Sequence, residues 1–321
     1  MVRKMTFPEI LDYRFTISGE MIPEKGEDSY CSGVTENAAL AAVFDGCGGL
    51  GSREYSTLSE KTGAYVASRA VSGAVYDWFT GSNGGAGLSQ EEIRSDLCEY
   101  MNRAYGVCRK YGGETSVLSG SLIRDFPSTA AAVIARQCPE GIELLCFWAG
   151  DSRIYLLDSE GLSQLSLDDI RGDFDAMENL YRDASLSNVL SSDGNYVLHQ
   201  RRLVLNSPAL VFTATDGCFG YLPSPMHFEY MILKNLLAAD NPPEFEDTLE
   251  REIRKYAGDD YALSLMSFGF GDFAGLQSTL KGRRDYLKNV FIDPMEESAD
   301  ESLPQSLWQE YRVGYEHMIK E

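Results

Sequence analysis

Histidine is scarce in this chain. His199, His227 and His317 are the only three in 321 residues, and no H-E-x-x-H occurs, so a histidine-rich zinc site is not expected. Basic residues are outnumbered as well: 28 Lys plus Arg face 49 Asp plus Glu, a formal net charge of -21. The clustered cations that grip nucleic-acid phosphates are missing, and so is a basic membrane-surface helix. Neither nucleic acid nor membrane is therefore an expected partner. No run approaches the roughly 20 apolar residues of a membrane span, and no apolar stretch follows the charged start MVRKMTFPEI as it would in a secretory signal. The seven cysteines are odd in number and include no C-x-x-C. That usage points to free thiols in a reducing cytosol, not to a disulfide framework. Whatever chemistry the chain performs must rest on oxygen ligands or on a thiol.

What is present is an ordinary globular composition, 44% hydrophobic and 24% charged. The length allows two domains of about 150 residues each, or one large β-rich domain of about 200–250 with an appendage. Residues 13–45 read as a meander that contains ALAAVF (38–44 region), a continuous apolar run expected to be a strand buried on both faces. Residues 52–79 carry helical spacing, GSNGGAG (81–87) is a loop, and a second helix is expected over 89–111, with Ser89 and Glu92 forming a capping box. TAAAVIAR (129–136), IELLCFWA (142–149) and RIYLL (153–157) read as strands, the last two joined as a hairpin through Gly150-Asp151-Ser152. Residues 166–200 are polar and read as a surface excursion with one helical turn at 177–181. A strand at 210–215, helices at 225–239 and 243–257 and a strand at 262–270 follow. Beyond 272, helical spacing at 279–290, an acidic linker DPMEESADESLP (293–304) and an amphipathic helix at 305–320 form a C-terminal extension expected to dock on the main domain.

One pattern is not explained by packing. Two apolar strands each run into Asp-Gly, in VFDGCGG (Asp45-Gly46) and TATDGCFG (Asp216-Gly217). A third, ALSLMSF, starts directly after Asp259-Asp260, and Glu27-Asp28 precedes SYCSGV. If the last two strands run opposite to the first two, all four acidic points meet at one end of the sheets. So many carboxylates raise one another's pKa unless cations neutralise them. Mg²⁺ or Mn²⁺ suits such an oxygen-only donor set, and a pair of such ions can orient a phosphoryl group for in-line attack.

The order of these segments resembles the metal-dependent protein phosphatases of the PPM (PP2C) type. GEDSY, VFDGCGG, PSTAAAV, WAGDSRIYLL, FTATDGCFGYL and DDYALSL stand where that family carries its motifs, in the same order across roughly residues 13–270. The resemblance implies an α/β (α+β) domain over 5–272, with two packed antiparallel sheets flanked by helices on both sides, and a helical extension over 273–321. It implies a Ser/Thr phosphoprotein phosphatase that acts in signalling, opposes a Ser/Thr kinase and uses two Mn²⁺ or Mg²⁺ ions. Asp45 would bridge the metals with help from the Gly46 carbonyl, Glu27 and Asp28, and Asp216 and Asp259 would complete the set; Asp45, Asp216 and Asp259 are the expected catalytic carboxylates. Asp125 is the candidate for a third metal, and Asp260 is a further candidate ligand. Asp151, Ser152 and Arg153 are expected to hold the turn.

Two departures bear on catalysis. Pro23 stands where the family places a phosphate-gripping arginine, which leaves Lys25 or Arg14 as substitutes. Cys47 replaces a histidine thought to protonate the leaving group, and its thiol is a candidate proton donor or redox-sensitive group. Cys47 and Arg53 also have the spacing of cysteine-dependent phosphatases, a rival in which a thiolate attacks phosphate. A second alternative is a non-catalytic regulatory module that keeps the fold and binds a partner.

Overall fold

The computed structural model describes residues 7–112, 125–172, 175–181, 185–300 and 302–320. The outermost limits expected for the domain and its extension, residues 5 and 321, lie outside them. The first part of the chain forms β1 (Leu11–Gly19), β2 (Ser29–Val34), β3 (Ala38–Phe44), β4 (Glu54–Tyr55), β5 (Lys61–Thr62), α1 (Gly63–Gly81) and α2 (Gln90–Gly112). The middle forms β6 (Ala130–Cys138), β7 (Gly141–Ala149), β8 (Arg153–Asp158), β9 (Gly161–Gln164), α3 (Glu178–Tyr181), β10 (His199–Leu205) and β11 (Ala209–Ala214). Then come α4 (Pro225–Ala238), α5 (Pro242–Tyr256), β12 (Tyr261–Phe268), α6 (Phe273–Leu287), α7 (Asp293–Glu297), α8 (Leu303–Tyr315) and α9 (His317–Lys320).

The strands build two five-stranded antiparallel sheets, in the orders β1-β12-β11-β8-β9 and β10-β7-β6-β3-β2, with β4 and β5 as a separate ribbon. Side-chain alternation stacks them. Along β3, Leu40, Ala42 and Phe44 meet α1 and α2, whereas Ala39, Ala41 and Val43 meet the other sheet. Along β11, Leu210, Phe212 and Ala214 face the helices α4 to α6, and Ala209 and Val211 face inward. Both faces of these strands are buried, so their sequences are continuously apolar. The result is four layers, helices–sheet–sheet–helices.

Three local expectations give way to tertiary pairing. Residues 13–45 are not one meander: β1 leaves β2 and β3 to pair with β12 in the other sheet. β7 and β8 are not a hairpin either, because β7 pairs with β6 and β10 while β8 pairs with β11 and β9. Gly150-Asp151-Ser152 is a corner where the chain passes between sheets. Gly150 has φ +94°, the left-handed region, and a Cβ there would lie 2.7 Å from the Thr129 side chain. Finally, residues 54–62 form the β4–β5 ribbon, and α1 starts only at Gly63, where the Thr62 hydroxyl accepts the Tyr65 N–H at 3.1 Å. The expected cap of α2 is present: the Ser89 N–H reaches Glu92 Oε2 at 2.8 Å, and the Glu92 N–H reaches Ser89 Oγ at 3.3 Å.

The C-terminal helices are built into the core over the first sheet. Trp308, Tyr311 and Tyr315 are buried among Phe15, Tyr155 and Phe212. The Trp308 indole donates to Asp175 at 3.0 Å, and the Tyr311 hydroxyl donates to buried Glu229 at 2.6 Å. Glu229 also takes two bonds from Arg283 on α6, at 2.7 and 2.9 Å. Trp308→Ala leaves a cavity in this core, while Asp175 keeps Arg312 at 3.0 Å, so urea denaturation should show a loss of about 3–5 kcal/mol. A loss below about 1 kcal/mol would mean that α8 contributes little to this core.

Candidate active site

The antiparallel pairing brings the acidic points together. Asp45 follows the end of β3, and Glu27-Asp28 precede β2, its antiparallel neighbour. In the other sheet Asp216 follows β11, and Asp259-Asp260 precede its antiparallel neighbour β12. Gly217 explains the recurrent Asp-Gly: a Cβ there would fall 1.9 Å from the Asp260 carbonyl oxygen, so the two strand ends close up only over glycine. The sheets are stitched to each other at this same end. The Thr215 hydroxyl, at the end of β11, donates to Asp28 Oδ2 at 2.6 Å.

Backbone donors and hydroxyls fix the remaining carboxyls. Asp260 accepts the N–H groups of Met21 and Glu27, both at 2.7 Å, and so clamps the β1–β2 connection onto β12. The Thr62 hydroxyl donates to Glu27 Oε1. The Asp45 N–H donates to Thr129 Oγ1 at 3.1 Å, and Thr129 is 2.6 Å from Ser152 Oγ. PSTAAAV and GDSR therefore support the backbone of VFDG through two hydroxyls.

The resulting electrostatics are strained. Burial, then Asp28, Asp216 and Asp151, push the Asp45 carboxyl well above the usual range. Burial and the Asp216 charge do the same to Asp28, although the Thr215 hydroxyl opposes them. Asp28 and Asp45 act on each other directly as well, and along with burial this favours the protonated form of Asp45. Asp216 is pushed up to about 6 by burial and by Asp259. Among the described residues no three Asp, Glu, His or Cys side chains already stand in a shell around a cation; the carboxyls lean on protons, hydroxyls and backbone donors instead.

Asp151 tests whether a cation fits. Its Oδ1 is sealed from water with no hydrogen-bond partner, and burial, then Asp216 and Asp168, lift its pKa to about 8. An orphaned buried carboxylate oxygen beside further carboxyls is what a hard divalent ion would satisfy. Neither nearby thiol competes: the Cys218 S–H reaches the Ala262 carbonyl at 3.3 Å, and Cys47 contacts the Asp45 carbonyl at 3.9 Å. The donor set is all oxygen and fits Mg²⁺ or Mn²⁺.

Solved bacterial serine/threonine phosphatases match this architecture over nearly their whole length. Stp1 from Staphylococcus aureus matches with a TM-score of 0.59 at 17% identity, over 84% of this chain and 99% of Stp1. The catalytic domain of PstP, solved in complex with two manganese ions, matches with a TM-score of 0.54 at 15% identity, over 79% of this chain and 97% of PstP. MsPP from Mycobacterium smegmatis, a PPM Ser-Thr phosphatase solved with cacodylate, gives 0.54 at 14% identity, over 81% and 100%. The chain has the PPM phosphatase fold. No protein-family model and no curated protein matches its sequence, so at these identities the likeness is one of fold.

Within the PPM fold the sequence candidates are distributed unevenly. Glu27, Asp28, Asp45, Gly46, Asp216 and Asp259 gather at the shared sheet end. Asp260 is there too, but both of its oxygens are taken by backbone N–H groups. Asp125 stands apart, accepting the Tyr55 hydroxyl at 3.0 Å with Arg53 at 3.9 Å. Arg14 pairs with Met266, five residues along β12 from Tyr261, so it lies about 17 Å down the strand at ~3.4 Å per residue; it donates to Ser32 at 3.1 Å. Lys25 is exposed and lines a groove of about 270 Å³ with Lys61, Thr62 and Tyr65, beside Glu27. A larger groove, about 590 Å³, opens at the far end of the sandwich, but its Arg136 and Arg202 both bind Glu143.

The thiolate rival conflicts with the electrostatics. Burial, then Asp45, Asp151 and Asp216, push the Cys47 thiol well above its ordinary value, the reverse of what a nucleophile needs. Arg53 is turned to Asp125 and lies 4.9 Å over the Tyr55 ring. Cys47 stays an S–H group.

Sequence reasoning assigned Asp151 to a turn because β7 and β8 read as a hairpin; the corner between sheets instead points it at Asp45 and Asp216. Ser152 and Arg153 do hold structure, Arg153 through Asp168 at 2.7 Å. Arg69 on α1 was missed altogether. No local signal marks it, yet its charge reaches Glu27.

Raised carboxyl pKa values favour the folded state fully below about pH 4, where the unfolded carboxyls are also protonated. That contribution is lost as pH climbs through the folded values, about 6 for Asp216 and about 8 for Asp151. His227, lowered by burial, acts in the opposite sense but is a single group. In EDTA the melting temperature should therefore fall from pH 5 to pH 8, and saturating Mn²⁺ should flatten the slope. A flat or rising profile in EDTA would contradict this crowding of carboxyls.

Proposed function

We propose that the chain is a metal-dependent phosphatase of Ser/Thr phosphoproteins. The observation that carries this reading is the meeting of Glu27, Asp28, Asp45, Asp216 and Asp259 at one end of both sheets, with the unpartnered Oδ1 of Asp151 beside them. The PPM fold supports it, and so does the pair of manganese ions in PstP. Asp45, Asp28, Asp216, Asp259 and Asp151, with Glu27 and the Gly46 carbonyl, would hold two Mg²⁺ or Mn²⁺ ions. When bound, such ions neutralise charge on phosphoryl oxygens and make water acidic enough to supply a nucleophile near neutral pH.

The residues of the chain supply the rest. Thr215, Thr62 and the Asp45–Thr129–Ser152 chain hold the acidic segments in place, so the carboxyls need only close around a cation when it arrives. The pocket sits at an open end of the sandwich, with Asp259 exposed, so it admits a phosphorylated side chain carried on a protein segment. A Ser phosphate leaves as an alkoxide and needs a proton; Cys47, held as a thiol in the cluster's field, is one source and water is the other. Substrates are phosphoproteins made by a Ser/Thr kinase. The seven free thiols support a reducing compartment.

Turnover of p-nitrophenyl phosphate and of a phosphoserine peptide should require Mn²⁺ or Mg²⁺ and stop in EDTA. Asp45→Asn and Asp216→Asn should each lower kcat by at least about 100-fold, the upper end of the loss seen when even an outer-shell partner of a metal ligand is removed, without lowering the melting temperature. A rate that survives EDTA but is lost in Cys47→Ser would replace this reading with thiolate chemistry.

A further inference from the structure

A phosphate monoester brings negative charge to a rim that already holds Glu27, Asp28, Asp45, Asp216 and Asp259. A protein cation facing that rim therefore favours phosphate binding beside any bound metal. Arg153 is near but occupied: its side chain is only 3% exposed, it is bound to Asp168 at 2.7 Å, and it is covered by the Phe219 ring at 4.4 Å. Arg14 lies down the strand and Arg53 turns to Asp125.

Arg69 differs from all three. It follows Ser68, whose hydroxyl donates to the Glu27 carbonyl at 2.5 Å, so the α1 backbone is tied to the acidic motif at this residue. Its guanidinium lies 3.5 Å from the centroid of the Tyr65 ring, which fixes its plane. Its polar contacts are long: 3.3 Å to the Tyr65 carbonyl, 3.4 Å to Ser68 Oγ and 3.7 Å to Glu20 Oε1. A third of the side chain is exposed. The guanidinium is thus positioned but weakly engaged, and its anionic partner is the 39%-exposed carboxylate of Glu20, whose other oxygen accepts the Glu24 N–H at 2.6 Å. An incoming phosphate offers a stronger, forked acceptor than that carboxylate at 3.7 Å.

We propose that Arg69 is a catalytic residue of the phosphatase reaction: its guanidinium, held flat on Tyr65, leaves Glu20 and binds the phosphate of the substrate on the Glu27 side of the pocket. The assignment rests on the function proposed above.

The test is titration of the full chain with inorganic phosphate in Mn²⁺ by calorimetry, alongside phosphopeptide kinetics. Arg69→Ala should weaken phosphate binding at least tenfold and raise KM for the phosphopeptide, with Mn²⁺ affinity and melting temperature kept. Arg69→Lys should recover part of the affinity, since an ammonium supplies charge without the fork. Phosphate affinity unchanged in Arg69→Ala, or lost only in step with Mn²⁺ affinity or folding, would overturn the assignment, as would a parent chain that binds no phosphate. If Arg69→Ala loses phosphate but the parent chain hydrolyses no phosphate ester, Arg69 is a phosphate-binding residue only, and the proposed activity fails together with its catalytic role.

Discussion

The constraint on which this molecule turns is the crowding of carboxyls at one end of a β-sandwich. Placing Glu27, Asp28, Asp45, Asp151, Asp216 and Asp259 within one another's fields is unfavourable for a folded chain, and their raised proton affinities record that cost. The fold tolerates it because the strands that carry these groups are among the most deeply buried in the protein: β3, β11 and β12 are buried at every position. A core made rigid by packing on both faces of each sheet holds charges where they would not stay unaided.

The same crowding depends on where the chain changes sheets. The β1–β2 connection, clamped by Asp260, and the Gly150–Ser152 corner both cross between sheets at the acidic end. A crossover frees a side chain from ladder pairing and aims it into the space between layers. That is how Asp151 comes to face Asp45 and Asp216, and why its oxygen lacks a hydrogen-bond donor. A hairpin at the same position would have presented Asp151 to solvent.

The C-terminal helices reach this region from behind. The Tyr315 hydroxyl lies 3.4 Å from Arg153 Nη1 and 3.3 Å from the Tyr155 hydroxyl, and Arg153 anchors the strand that follows the corner. Residues that read as an appendage thus share the core of the sheet they cover. The acidic linker before α8 left no sign of this; the apolar spacing that buries the extension is carried by α8, with Trp308, Tyr311 and Tyr315, and by α6, with Leu276, Leu280 and Leu287.

The sequence by itself determined the strands buried on both faces, since such strands must be continuously apolar, and the helices with a clear apolar stripe. It determined four acidic points, because Asp-Gly after a buried strand and Asp-Asp before one are chemical punctuation that packing does not require. Their order was enough to suggest the fold, although Pro23 and Cys47 depart from its motifs. What only the tertiary structure decided is pairing between distant segments: β1 with β12, β7 and β8 in separate sheets, residues 54–62 as a ribbon instead of a first helical turn. Those choices turn on long-range hydrogen bonds and on which face of each strand meets which layer, and neither leaves a periodicity in the local sequence. For that reason the placement of Asp151 and Arg69 beside the acidic points became visible only once the chain was folded.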